Sequence, residues 1–364
     1  MLKKDDLSYF IKHLYEESSG LIPPEHRVKL SKQVAEIFLE VGDFSKAQQI
    51  MSEILDSDEY EKLPYELKYE VLNTLYRIHY KQGNYRKAKE LLERMLSLVN
   101  QQKDEARMCS VLVKFGNIYT GESEYSKSIE YYSKAIEIGE KIDQKKCLAT
   151  AYNNLAVYYA AVERKYDEAL IQFQKALSLY ETVKPGSSIT SGIMVNMGSV
   201  FKHKKMFEKA LDYYQRAHTI ARKLHKYDIL AHIYKEKAEI YYELGEFDIS
   251  KVFAERALTV FTTVDGRESR RWIAETNVLL GKILNKQEAS FSEISGKFQE
   301  ATRIFKEFND YKNLIHTYNV WADIALLRGL QSEARKLLNE ALKLASEHGL
   351  TDEEKEIKRK LEFL

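Results

Sequence analysis

The 364-residue sequence is poor in the residues that break or tighten a chain, with 4 prolines, 15 glycines and 2 cysteines. So few turn-forming residues argue against a many-stranded β-sandwich, which needs frequent turns. Two cysteines are too few for a disulfide framework. We therefore expect Cys109 and Cys147 to be buried, unpaired thiols in a reducing cytoplasm, with a redox pair as the alternative.

Neither positive nor negative charge predominates in the sequence. We also expect no leader peptide and no membrane-spanning segment. Lys and Arg number 56 against 55 Asp and Glu, so bulk charge would not attract nucleic acid and direct binding to it is not expected. No apolar stretch approaches the length of a membrane span. The first six residues, Met1 to Asp6, already include four charged side chains. These absences predict a cytoplasmic protein without a membrane partner.

An internal repeat covers nearly the whole chain. Eight segments share a turn that precedes a helical pattern, and in six of them an aromatic residue is followed, three positions later, by a small one. The seventh has Ile294 at the small position, and the eighth has Gln331 at the aromatic position. Successive units are 40 or 41 residues apart, apart from one interval of 44. The small-residue positions are Ala47, Ala88, Ser128, Ala169, Ala210, Ser250, Ile294 and Ala334. This regularity predicts a stack of identical supersecondary units.

Each unit reads as two helices that cross at small residues. The helix before the turn carries a glycine or alanine in seven of the eight units, and the second unit has Tyr76 there instead. Small residues let two helix backbones approach closely, and a bulky ring beside them fills the remaining space. The seven small residues are Ala35, Gly116, Ala156, Gly198, Ala238, Gly281 and Ala322.

The pattern resembles the tetratricopeptide repeat. It is carried by small-x-x-aromatic pairs in the first helix, such as Gly116 with Tyr119 and Ala156 with Tyr159, and by the aromatic turn. The period of about 40 residues is similar to that of kinesin light chains, spindle-orientation adaptors and Gram-positive peptide-pheromone receptors. The resemblance implies an all-α, right-handed solenoid of about eight helix pairs. We expect a capping helix at 1–27, the superhelix at 28–350 and a second capping helix at 351–364.

Motifs for catalysis and metal binding are missing. No nucleophile elbow, phosphate-binding loop or His-Glu-x-x-His pattern occurs. His218, His225 and His232 are seven residues apart, but the segment around His225 should interrupt the helix. We therefore expect no enzyme activity, no metal and no cofactor. The remaining enzymatic alternative is a phosphoprotein phosphatase that uses a glutamine near the N-terminus.

A ligand surface is predicted on the first helices, which line the concave side of such arrays. Asparagine is a mediocre helix former, yet several share this surface. Their amides can bond both N–H and C=O of an extended peptide, and lysines beside them would favour acidic groups. The resemblance places Asn117, Asn154 and Asn196 where related arrays hold a peptide backbone. The predicted peptide-binding residues are Lys114, Asn117, Asn153, Asn154, Asn196, Lys202 and Lys235.

These features predict a non-catalytic scaffold that binds an extended peptide or partner segment, with no small-molecule substrate. The alternative is a bacterial peptide-responsive regulator that acts on a regulatory protein, or the repeat part of a transcriptional regulator. A homodimer formed through terminal helices is a further hypothesis, with Trp272, Trp321, Leu326 and Leu327 as contact candidates.

Overall fold

The computed structural model describes residues 23–40, 43–263 and 267–364, and within them the protein is all-α, without a strand. Most of the predicted N-terminal capping helix, residues 1–22, lies outside the described residues. A short 3₁₀ turn, Tyr60–Lys62, precedes the third helix. The helices are α1 (Pro24–Glu40), α2 (Phe44–Leu55), α3 (Tyr65–Lys81), α4 (Tyr85–Gln102), α5 (Glu105–Gly121), α6 (Tyr125–Lys141), α7 (Lys145–Ala161), α8 (Tyr166–Val183), α9 (Ser188–His203), α10 (Phe207–Lys223), α11 (Tyr227–Glu243), α12 (Phe247–Phe261), α13 (Arg267–Lys286), α14 (Phe291–Glu307), α15 (Tyr311–Leu327), α16 (Gln331–Glu347) and α17 (Thr351–Glu362).

The chain divides into two compact units, residues 1–200 and 201–364. In each unit consecutive helices pack against one another in chain order. The odd-numbered helices α1 to α15, which we call the A helices, also contact each other directly: α1 with α3 and α5 with α7 in the first unit, α11 with α13 and α13 with α15 in the second. Side chains that leave the A helices on this side therefore meet side chains from the neighbouring repeat.

The turns between paired helices explain where the second helix of each repeat begins. The turn aromatic is the first residue of that helix, as at Tyr85, Tyr125 and Phe247. Two residues before it the backbone is left-handed, and Gly83 takes this conformation with a φ of 74°. Ser123 adopts it as well, with a φ of 61°, so the repeat does not require glycine there.

Volume complementarity at the helix crossing is confirmed in atomic detail. A methyl group added to Gly116 would lie 2.4 Å from a ring carbon of Tyr132, and one added to Gly281 would lie 2.6 Å from Phe298. The small residue of the turn adds a hydrogen bond, since Ser128 Oγ donates to the Gly116 carbonyl at 3.0 Å. The absence of a side chain on the A helix is therefore what admits the partner ring.

The aromatic residue of the turn also contacts the repeat that follows its own helix pair. Tyr85 reaches the next repeat, where a methyl group on Gly121 of α5 would meet its ring carbon at 2.5 Å. Tyr125 likewise has its ring centroid 5.7 Å from that of Tyr158 on α7. These rings join successive repeats, which explains why the aromatic recurs with the full repeat period.

The prediction of two unpaired thiols is wrong. Cys109 of α5 and Cys147 of α7 form a disulfide, with their Cα atoms 6.3 Å apart, and both are buried. The direct contact of two A helices brings together residues that are 38 positions apart in sequence. The bond links neighbouring repeats, which is the redox-pair alternative raised by the sequence.

The last helix, α17, covers the end of the second unit by burying Ile357 against the core around Trp321. Trp321 is itself buried, whereas Leu327 is 79% exposed. The histidine pattern is interrupted as expected, because α10 ends at Lys223 and α11 begins at Tyr227. Among the described residues, no helix combines the length and the apolar character that a bilayer crossing requires.

Candidate functional site

The residues predicted to bind a peptide all lie on A helices, but they fall into the two units. Five belong to the first unit and two to the second. Lys114 and Asn117 are on α5, Asn153 and Asn154 on α7, Asn196 and Lys202 on α9, and Lys235 on α11. The side chains of the two units have different partners, so each unit is described separately.

In the first unit the asparagines are hydrogen-bonded to each other. Asn154 Nδ2 donates to Asn117 Oδ1 at 2.6 Å, and Asn153 Nδ2 donates to Asn154 Oδ1 at 3.0 Å. Asn196 Nδ2 donates to Asn153 Oδ1 over a longer distance of 3.5 Å. Tyr132 completes this asparagine network by donating its hydroxyl to Asn117 Oδ1 at 2.8 Å. The network therefore crosses three successive A helices.

The two ends of the asparagine network keep hydrogen-bonding capacity. Among the described residues, the amide nitrogen of Asn117 and the side-chain oxygen of Asn196 have no partner. Both residues are half-buried, so these groups face accessible space on the A helices. One end offers a donor and the other an acceptor, which matches the alternating groups of an extended backbone.

Lys114 is a cation without a carboxylate partner in the described part of the chain. Its ammonium donates to Ser110 Oγ at 2.8 Å and to the Ser110 carbonyl at 3.4 Å. Burial, followed by the nearby charges of Lys146 and Arg77, lowers the pKa of Lys114 to about 8. Arg77 is itself paired with Glu36. An anionic group beside Lys114 would relieve this uncompensated positive field.

Lys202 and Lys235 in the second unit have carboxylate partners within the protein. Lys202 Nζ lies 2.8 Å from Glu236 Oε2 and also pairs with Glu239. Lys235 Nζ is 3.0 Å from both Glu239 Oε1 and Glu275 Oε2. We call these five residues the ionic network. Their mutual neutralisation makes the two lysines poor candidates for a ligand carboxylate.

Glu236 is the most enclosed member of the ionic network, with a side-chain exposure of 6%. Tyr214 donates its hydroxyl to Glu236 Oε2 at 2.8 Å. His232 Nε2 lies 3.4 Å from Glu236 Oε1, and its ring stacks on Trp272. Burial alone would raise the pKa of Glu236, but Lys202, then His232 and Lys235, hold it well below its usual value.

This lowered pKa predicts a pH-dependent stability. Because the pKa of Glu236 is lower in the folded than in the unfolded chain, its contribution is complete above about pH 4.5 and is lost as the pH falls further. The free energy of unfolding of the wild type should therefore approach that of Glu236→Gln in acid. Urea titrations of both proteins across this range measure the difference. A difference that does not change with pH would contradict the assignment.

Two tyrosines complete these networks and were not recognised as polar contributors from the sequence. Tyr132 and Tyr214 both occupy the bulky core position of the second helix, where other repeats have Phe173 or Phe298. A buried tyrosine needs a partner for its hydroxyl, and a phenylalanine does not. The presence of tyrosine rather than phenylalanine in these two repeats was thus the sequence signal for a buried hydrogen bond.

No group of three metal-binding side chains is present among the described residues.

Residues 107–182 and 190–263 match the family model described as tetratricopeptide repeat. RNA polymerase-associated protein CTR9 of Saccharomyces cerevisiae is 27% identical over 281 residues, which are 71% of this chain and 24% of that protein. Protein KINESIN LIGHT CHAIN-RELATED 1 of Arabidopsis thaliana is 23% identical over 282 residues, 76% of this chain and 44% of that one. The chain thus spans less than half the length of either relative.

A solved structure shows the same fold over almost the entire chain. The Rap protein complexed with competence and sporulation factor superposes with a TM-score of 0.57 at 15% identity, covering 93% of this chain and 97% of the other. The consecutive helix pairs define an α-solenoid protein. The two matched segments are tetratricopeptide repeats, as the turn and crossing residues had indicated.

Proposed function

We propose that this protein is a non-catalytic binding protein that holds an extended, acidic peptide or partner segment on the A helices of its first unit. The asparagine network supports the proposal most strongly. It presents one unsatisfied donor on Asn117, which shares α5 with Lys114, and one unsatisfied acceptor on Asn196 of α9. Lys114 has no carboxylate partner among the described residues. These groups suit a peptide backbone and one acidic side chain.

The direction of the charge preference follows from the surroundings of Lys114. Arg77 and Lys146 add positive potential near this amine, and a ligand carboxylate would form a charge-assisted bond there. A basic peptide would meet repulsion at the same place. Lys202 and Lys235 are left out of the proposed surface because glutamates already neutralise them.

A peptide-responsive bacterial regulator is a narrower form of the same proposal. The solved Rap protein is described as a complex with competence and sporulation factor, and its fold extends over 93% of this chain. Assignment of the protein as a peptide-responsive regulator, and of a cytoplasmic location, requires that the peptide be identified. A search for short secreted peptides encoded near the gene would test the regulator, and a phosphoprotein turnover assay would test the phosphatase alternative.

The test of the proposal is the double variant Asn154→Ala with Asn196→Ala. A library of synthetic peptides is first screened against the full chain, and the strongest acidic peptide is titrated by calorimetry. We expect the double variant to bind it at least about tenfold more weakly. Removing Asn196 takes away the free acceptor, and removing Asn154 breaks the hydrogen bond that orients Asn117. Each lost hydrogen bond removes roughly 1 kcal/mol. Its melting temperature should change little, since the two side chains are half-buried and polar.

The matched control is Asn100→Ala, which removes an exposed asparagine from the end of α4 in the same unit. This variant should keep the wild-type affinity. Lys114→Met should reduce the preference for acidic over neutral peptides without abolishing binding. Equal affinities of the wild type and the double variant would refute the proposed surface.

A further inference from the structure

A second candidate binding site lies in the second unit and shares no residue with the asparagine network. It is a cavity of about 420 Å³ lined by residues of α9 to α11 and of α13 to α15, which we call the α13 pocket. Its volume lies within the range of small-ligand sites. Five of its lining side chains are largely apolar: Phe207, Tyr242, Val278, Leu279 and Phe305. These side chains can contact an apolar group of a ligand.

The polar groups of the α13 pocket are of two kinds. Lys235, Glu239 and Glu275 line it but are bonded to each other within the ionic network. Lys282 also lines the pocket, and its ammonium lies 4.8 Å above the ring centroid of Tyr242. Within the described residues Lys282 has no carboxylate partner, so its charge remains available to a ligand.

The available groups have a net positive charge. Besides Lys282, the pocket is lined by Lys205 and Glu243, and neither has an ion-pair partner in the described part of the chain. The uncommitted charges around the pocket are thus two ammonium groups and one carboxylate. His316 adds an imidazole whose pKa is lowered, first by burial and then by the charge of Lys282. A neutral imidazole can donate or accept a hydrogen bond beside the ammonium.

We propose that the α13 pocket binds a ligand in which an apolar group is attached to a carboxylate, with the carboxylate on Lys282 and the apolar group against Leu279 and Phe305. The members of the ionic network that line the pocket are already paired within the protein. A free carboxylic acid and the C-terminal residue of a peptide both have this chemistry. The site is separate from the proposed peptide surface of the first unit.

The experiment uses calorimetry on the full chain with N-acetylphenylalanine and its neutral amide as probes. We expect the acid to bind at least about tenfold more tightly than the amide, because the charge-assisted bond to Lys282 is lost in the amide. Lys282→Met keeps an unbranched chain over Tyr242 and should abolish this difference. Lys286→Met, at an exposed position one turn further along α13, is the matched control and should preserve it.

A peptide that ends in phenylalanine, with a free or an amidated C-terminus, distinguishes the two sources. Tighter binding of the free terminus supports a peptide end, and binding of the small acid alone supports a metabolite. The proposal is overturned if neither acid form binds, if acid and amide bind equally, or if Lys282→Met behaves as the wild type. Asn154→Ala with Asn196→Ala should leave these affinities unchanged, so this site and the peptide surface can fail independently.

Discussion

Replacing Glu236 with alanine is expected to lower the free energy of unfolding by about 3–5 kcal/mol, because it removes one partner of a buried ion pair. Lys202 would keep Glu239 as a carboxylate partner, and Tyr214 would lose its hydrogen bond to Glu236. Urea unfolding followed by Trp272 fluorescence measures the effect, since Trp272 stacks on His232 beside the network. Trp321→Phe provides a background in which this is the remaining tryptophan.

The matched control for this loss is Glu300→Ala. Glu300 pairs with Arg303 on α14, and both side chains are more than 40% exposed. A surface pair of this kind contributes roughly 0–1 kcal/mol. If Glu236→Ala costs no more than Glu300→Ala, the ionic network does not stabilise the second unit in the way described here.

Truncating Phe298 to alanine is expected to cost a similar amount, about 3–5 kcal/mol, through a cavity at a helix crossing. Phe298 is fully buried against Gly281 and stacks on Trp321 with ring centroids 5.7 Å apart. The free energy of unfolding from urea titration is the measurement. Phe363→Ala is the control, because that ring is 91% exposed and its removal should have little effect.

The same crossing allows a direct test of volume complementarity. Gly281→Ala would place a methyl group 2.6 Å from the Phe298 ring, and overpacking of this kind costs about 1–3 kcal/mol. In a Phe298→Leu background the added methyl should cost less, since the ring is gone. Additive effects of the two substitutions would contradict the proposed steric coupling.

The two polar networks use similar positions on the A helices for different purposes. In the first unit, amides are bonded to each other and retain free donors and acceptors at their ends. In the second unit, opposite charges are paired and only Lys282, Lys205 and Glu243 stay uncommitted around the α13 pocket. The first arrangement suits an extended backbone and the second a compact ligand with one negative charge.

The fold could be predicted from the sequence because its causes are local and periodic. A recurring aromatic turn and small residues such as Gly116 and Gly281 specify helix pairs wherever they occur. The spacing placed the predicted site residues on one set of helices without knowledge of their partners. The sequence raised the pairing of Cys109 with Cys147 only as an alternative, because the bond depends on two A helices meeting in space.

The sequence by itself determined the repeat, the helix pairs and the side on which the asparagines lie, because each follows from residues close together in the chain. Only the tertiary structure decided which lysines remain available. Lys114, Lys202 and Lys235 look alike in sequence, yet glutamates of α11 and α13 neutralise the last two and none of the described carboxylates pairs with the first. A charge is compensated by what is near it in space, and that distance is set by packing between repeats.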